Sequence, residues 1–166
     1  MSSNTQVTKD FKQKSITVAR EFDAPVDAVW RAYTEAELLD QWWGPAPWRA
    51  ETKAMTFAPG GHWLYAMVSP ENQQHWGRMN YVDIQHHQSI SIEDAFCDEH
   101  GVINPALPVS RGSIVFTPTG RGTRVEFRMT YQDEAQLKQI VEMGFEQGIS
   151  TCFDQLDALL HRNKVN

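Results

Sequence analysis

Apolar and polar positions recur with two periods along this chain, and the period switches three times. Ile16, Val18 and Phe22 share one face at period two, so residues 16–22 read as a strand, with Arg20 interrupting that face. Val26, Val29, Trp30 and Tyr33 then recur at helical spacing, behind a proline suited to a helix's first turn, Pro25. Thr34 to Glu37 has the spacing of a capping box and opens a second short helix with the stripe Leu38, Leu39, Trp42 and Trp43, ended by Gly44-Pro45. From Trp48 to Tyr131 the period returns to two, in segments near 48–57, 62–68, 75–84, 89–97, 110–117 and 123–131. Pro59-Gly60-Gly61, Ser69-Pro70-Glu71-Asn72 and Thr119-Gly120-Arg121-Gly122 mark turns, and Asp98 to Val109 is an irregular excursion. Asp133 with Gln136 resembles an N-cap and its box partner. Helical spacing then runs from Leu137 through Phe145 and Cys152 to Leu160, one helix of about 28 residues and ~42 Å.

The order is strand, two short helices, six strands, one long helix. An antiparallel sheet joined by short turns needs cover for its apolar face, and the long helix supplies it, so the predicted class is α+β. Residues 15–162 are expected to form a single domain behind a flexible polar leader, residues 1–14. The net charge is −6 and the 15 Lys and Arg residues are scattered, which argues against nucleic acid and anionic membrane as partners. No run approaches the ~20 apolar residues of a membrane span, so no membrane insertion is expected. The polar start carries no signal-peptide pattern, and the expected location is cytoplasmic. Cys97 and Cys152 lack metal-type spacing and read as reduced thiols.

Certain short motifs carry a resemblance. Ala24-Pro25-Val26-Asp27-Ala28-Val29-Trp30, Trp42-Trp43-Gly44-Pro45 and Pro59-Gly60-Gly61-His62-Trp63 resemble the START-like (helix-grip) superfamily, and within it the branch named for homologues of the activator of the heat-shock protein 90 ATPase. The Asp98-Glu99-His100-Gly101 loop, the Gly120-Arg121-Gly122-Thr123 hairpin, Gly144-Phe145 and Leu156-Asp157-Ala158-Leu159-Leu160 fit the same pattern, so the resemblance spans roughly residues 15–161. It implies a curved seven-stranded antiparallel sheet wrapped around the C-terminal helix, with a deep cavity between them. Members of the superfamily include lipid carriers, polyketide cyclases and chaperone-associated modules, and no catalytic signature carries over, because fold does not fix function.

The residues add candidates of their own. Tryptophans beside Gly-Pro and Pro-Gly-Gly punctuation argue for elements bent around something apolar. Expected walls are Trp43, Trp63, Trp76, Met79, Phe96, Met129 and Phe145, and expected polar contacts are Arg20, His75 and Asp94. Asp94 shares its strand face with Ile90, Ile92 and Phe96. A charge on such a face is costly unless paired, so Arg20 and Asp94 read either as ligand-orienting groups or as structural ion pairs. The leading function is binding of a small hydrophobic or amphipathic molecule. An alternative is a cyclase- or dehydratase-like enzyme using Asp94 and His75 as acid and base.

His86-His87 in a strand would point to opposite faces, and no histidine has zinc-like spacing, so neither a metal nor a cofactor is expected. His62 and His75 could approach one another if their strands pair as a hairpin. Gly144, Gly148 and Cys152 form a ridge of small groups on the long helix, serving close packing, ligand room or a hinge. An exposed edge strand could pair two copies. A chaperone partner is the third reading, weakened because the sequence lacks the additional N-terminal domain of a full co-chaperone.

Overall fold

A computed structural model describes residues 5–165. Eight antiparallel strands form one sheet: β1 (Gln6–Asp10), β2 (Ser15–Phe22), β3 (Arg49–Met55), β4 (His62–Val68), β5 (Gln74–Gln85), β6 (Ser89–Cys97), β7 (Val109–Pro118) and β8 (Thr123–Tyr131). Their spatial order is β1-β2-β8-β7-β6-β5-β4-β3. The helices are α1 (Val26–Thr34), α2 (Ala36–Trp42), α3 (Glu134–Glu142) and α4 (Phe145–Val165). The α+β helix-grip architecture expected from the sequence is the one observed, with one strand more than the seven expected.

The added strand is β1, inside the stretch read as a loose leader. Residues 1–4 of that stretch lie outside the described residues. β1 pairs Gln6 to Ala19 through Asp10 to Ser15. Four of its five residues are exposed, so no buried face announces it. Its order comes from ladder hydrogen bonds to β2 and from the Lys9–Glu146 ion pair at 2.9 Å, neither of which leaves a periodic trace.

Two capping details differ from expectation. The Thr34 hydroxyl donates back to the Trp30 carbonyl at 2.9 Å instead of capping α2, whose N-cap is Glu35. At Asp133 the carboxylate accepts the Gln136 N–H at 2.8 Å, as expected, but the Gln136 side chain reaches the Gln132 N–H.

The single long helix is broken at Gly144, whose φ of 89° is left-handed and strained for any residue with a Cβ. α3 and α4 are therefore separate rods, and α4 carries the core. Ile149, Cys152, Phe153, Leu156, Leu159 and Leu160 of α4 are all buried. Phe153 meets Phe22 edge-on, with ring centroids 5.5 Å apart. Trp42 is fully buried, and its indole N–H donates to the Ala32 carbonyl at 2.9 Å, which ties α2 to α1.

The turn after α2 is fastened to α4. The Gln155 amide donates to the carbonyls of Trp42 at 2.9 Å and Gly44 at 2.7 Å, and its oxygen accepts the Ala46 N–H at 2.9 Å. The Cys152 thiol donates to the Trp43 carbonyl at 2.6 Å. Four polar contacts thus hold Trp42, Trp43, Gly44 and Ala46 against the helix. Both cysteines are unbridged.

Candidate functional site

Strand alternation places Tyr65 and Met67 of β4, Gly77 of β5, Asp94 and Phe96 of β6, Ser110 of β7 and Tyr131 of β8 on the sheet face toward α4. The register aligns them: Tyr65 is opposite Gly77 and Gly77 opposite Phe96, while Asp94 is opposite Ser110 and Ser110 opposite Tyr131. A Cβ on Gly77 would lie 2.7 Å from the Tyr65 ring, so only glycine lets that ring lie flat across β5. Tyr65 stacks on Trp63 with centroids 4.1 Å apart, and Trp43 meets Trp63 edge-on at 5.6 Å.

These side chains and the start of α4 do not meet. They enclose a cavity of about 240 Å³. Ile140 of α3 and Phe145, Gly148, Ile149 and Cys152 of α4 cover it, Trp43 and Pro45 close one side, and His75 stands at the rim. His75 is exposed, and its ring lies 5.3 Å from that of Trp48.

Of the residues expected to form the site, the cavity wall takes in Trp43, His75, Asp94, Phe96 and Phe145. Trp76 also borders it, but alternation turns its indole to the outer face, where the Lys53 ammonium lies 5.6 Å from the ring centroid. Trp63, Met79 and Met129 do not reach the cavity. They share its strand face but are packed solid: Trp63 is 1% exposed, and its indole N–H donates to the Thr52 hydroxyl at 2.9 Å.

Arg20 lies elsewhere. Its guanidinium passes beneath the second half of α4, 2.6 Å from the Asp154 carboxylate and 3.4 Å from that of Asp157, and also contacts the Thr5 hydroxyl at 3.3 Å. Its charge on an apolar face is balanced by two aspartates reaching down from the helix, which is the structural ion pair and not the ligand contact.

Tyr65, Ser110, Tyr131, Ile140, Ile149 and Pro45 border the cavity without having been singled out as site residues. Tyr131 ends the alternating face of the last strand and was visible as buried. Ser110 had no periodic signal, because the register that sets it beside Asp94 is a tertiary fact.

Electrostatically the site centres on Asp94. Removal of water by the surrounding protein pushes its carboxyl up to about 7, with the Ala95 backbone N–H opposing the shift. Its remaining exposure is to the cavity it lines. Among the described residues no cation pairs with it, and no Lys or Arg borders the cavity. Burial, with the nearby Asp94 charge, also raises the Tyr65 and Tyr131 hydroxyls well above their usual range. The Cys152 thiol is pushed up to about 12 by burial, so it is neither a nucleophile nor a charge at neutral pH. The Trp43 indole N–H is fully buried and faces the Tyr65 side chain, without a hydrogen bond of good geometry.

The histidines form no centre. His62 pairs with Asn80 and His75 with Met67, at opposite ends of one hairpin, so they do not approach. His86 and His87 lie in the β5–β6 turn, where the left-handed His87 backbone lets the rings stack 3.8 Å apart, not on opposite strand faces. Among the described residues no cluster of three His, Cys, Asp or Glu side chains could hold a metal. No helix among them is long and apolar enough to cross a membrane.

A curved antiparallel sheet gripping a terminal helix, with a cavity held between the two, defines a START-like, helix-grip protein. Residues 23–161 match the family described as Activator of Hsp90 ATPase homolog 1-like protein, and the chain belongs to that family. Solved structures agree. The Mycobacterium smegmatis protein Ms6760 is 33% identical with a TM-score of 0.87, over 94% of this chain and 96% of that one. A protein from Arthrobacter aurescens is 31% identical with a TM-score of 0.89, over 95% and 91%. One from Nitrosomonas europaea is 28% identical with a TM-score of 0.82, over 93% and 98%. No curated protein matches the chain.

Proposed function

We propose that this protein binds a small apolar or amphipathic molecule in the cavity between the sheet and α4. The observation that carries this reading is the unfilled space itself, walled by aromatic and aliphatic side chains around one carboxyl. Natural interiors are packed to crystal-like density, so a void of this size opening at a rim needs a reason. A dry apolar cavity of about 150 Å³ accommodates benzene. At about 240 Å³, the cavity suits a molecule of one or two rings or a short branched chain, and is too small for a two-chain lipid.

Burying about 250 Å² of such a ligand at ~25 cal/mol per Å² supplies about 6 kcal/mol before the costs of association. Affinities in the micromolar range or weaker follow. Native mass spectrometry of the protein purified from its own cells tests the reading directly. The expected result is a co-purifying small molecule whose mass adduct disappears on denaturation. A protein that carries none, and that binds no member of a library of one- and two-ring compounds, overturns it.

The Asp94 carboxyl also favours a second reading. A carboxyl that is part protonated at neutral pH, beside Ser110 and Tyr131, has the proton affinity of a general acid–base group. An enzyme of the cyclase or dehydratase kind would use it against a substrate bound in this same cavity. Turnover of a bound molecule that is lost in Asp94→Asn would distinguish catalysis from carriage. A chaperone role rests on the family description alone, and stimulation of the chaperone's ATPase by the purified protein is its test.

A further inference from the structure

The charges of the cavity wall are one-sided. Asp94 faces the cavity from the middle of β6, and its neighbours across the strands are Met79, Ser110 and, one strand further, Tyr131. None of these is a cation, and among the described residues no Lys or Arg borders the cavity. The buried guanidinium of Arg20 is committed to Asp154 and Asp157, further along α4. Much of the wall around Asp94 is aromatic, with Trp43, Tyr65, Phe96, Tyr131 and Phe145, and the one imidazole that borders the cavity, His75, stands at its rim.

A carboxyl without a cation in such surroundings is costly, and it departs from the rule that buried charges are paired. Aromatic rings attract cations through their negative faces, and a desolvated site strengthens both that attraction and the ion pair. A carboxylate ligand meets the opposite situation. It would bring a second negative charge to a wall with no donor cation, at a distance where two carboxylates cannot both ionise.

Building on the reading that the cavity binds a small molecule, we propose that its ligand is a small aromatic or alkyl amine, with the ammonium group on Asp94 and the apolar part among the aromatic rings. The bound ammonium supplies the charge partner that the fold withholds. Ser110 and Tyr131, the next side chains along the same row, offer hydroxyl oxygens for the remaining N–H donors. The same arrangement excludes fatty acids and other anionic amphiphiles, whose apolar parts would fit equally well. The cavity therefore selects by charge sign and not by shape alone.

Calorimetric titration of the full chain with naphthylethylamine, naphthylethanol and naphthylacetate tests this. The three share one apolar body and differ in the charge of the head group. The expected order is amine, alcohol, carboxylate, with the amine at least about tenfold tighter than the alcohol. In Asp94→Asn, the amine-to-alcohol ratio measured on that variant should fall to about one. Equal binding of amine and alcohol by the native protein, or tightest binding of the carboxylate, overturns the amine assignment while leaving the cavity as a binding site. A ratio that survives in Asp94→Asn also overturns it. Failure of all three ligands to bind overturns the amine assignment, while the binding reading falls only if the native mass spectrometry and the compound library also come up empty. The ranking in the native protein needs no variant, so the test stands even if Asp94→Asn does not fold.

Discussion

The two halves of α4 lie on the same sheet and meet it in opposite ways. From Phe153 onward, Phe153 and Leu156 are fully buried, and Phe153 is locked edge-on against Phe22. Before it, Gly148 and Cys152 face the sheet, and the space beneath them is open. The charges follow the same division. Arg20, under the second half, is matched by two helix aspartates, whereas Asp94, under the first, has no cation among the described residues. One half of the helix is therefore a core and the other a lid, and the difference lies in side-chain volume on one face rather than in backbone geometry.

Breaking the solid half should have the largest effect. Phe153→Ala removes a fully buried ring and is expected to lower unfolding free energy by about 3–5 kcal/mol in denaturant titration. A loss below about 1 kcal/mol would show that this half, too, is loosely filled.

Filling the open half should act on binding instead. A Cβ on Gly148 would meet only Pro45 Cγ, at 3.9 Å, so the backbone has room for a side chain there. Gly148→Phe places a ring in the cavity and should weaken binding of a one- or two-ring ligand by tenfold or more, about 1.4 kcal/mol. Its stability should stay level or rise, since replacing a helical glycine recovers up to about 1 kcal/mol. Undiminished binding in that variant would move the site elsewhere.

The unpaired carboxyl gives a pH signature. Its folded pKa, about 7, lies above its unfolded value, so between the two the native state holds the proton that the unfolded chain has lost. Stability from this group is therefore fully present below the unfolded carboxyl range, falls as pH rises above it, and is lost once pH passes about 7. Asp94→Asn removes the decline. It should unfold at the same temperature as the native protein near pH 4, and be more stable by up to about 4 kcal/mol near pH 8. Parallel pH profiles for the two proteins would show that the carboxyl is not desolvated.

The most local effect concerns the lid's attachment. Gln155→Ala frees the Trp42 and Gly44 carbonyls and the Ala46 N–H, at a cost of about 1–2 kcal/mol. Hydrogen exchange should quicken at Ala46 while the protection of Phe153 stays unchanged. Equal acceleration at both positions would mean that the two halves open as one unit.

Much of this molecule is written locally in its chain. Alternation over Ile90, Ile92, Asp94 and Phe96 was enough to turn Asp94 inward, and Pro-Gly and Asn turn signals bounded the strands to within a residue or two. The tryptophans of the 42–43 turn were legible as part of an apolar enclosure because their size and setting left few alternatives. β1 was not legible, since an edge strand with one half-buried residue has no face to betray it. Nor was the break at Gly144, where helical spacing continues on both sides of a residue that is not itself helical.

What the chain determined by itself was therefore which side chains face inward, because alternation and helical spacing are properties of neighbours in sequence. It did not determine which inward face stays empty. Trp63, Met79 and Met129 point the same way as Asp94 and Phe96, yet the first three are packed and the last two line a void. Arg20 points inward like Asp94, yet only Arg20 finds its counter-charges. Those outcomes depend on register and on the volumes that α4 and the 42–46 turn bring from far along the chain. Space left between distant elements is a sum over all of them and leaves no mark in any one segment.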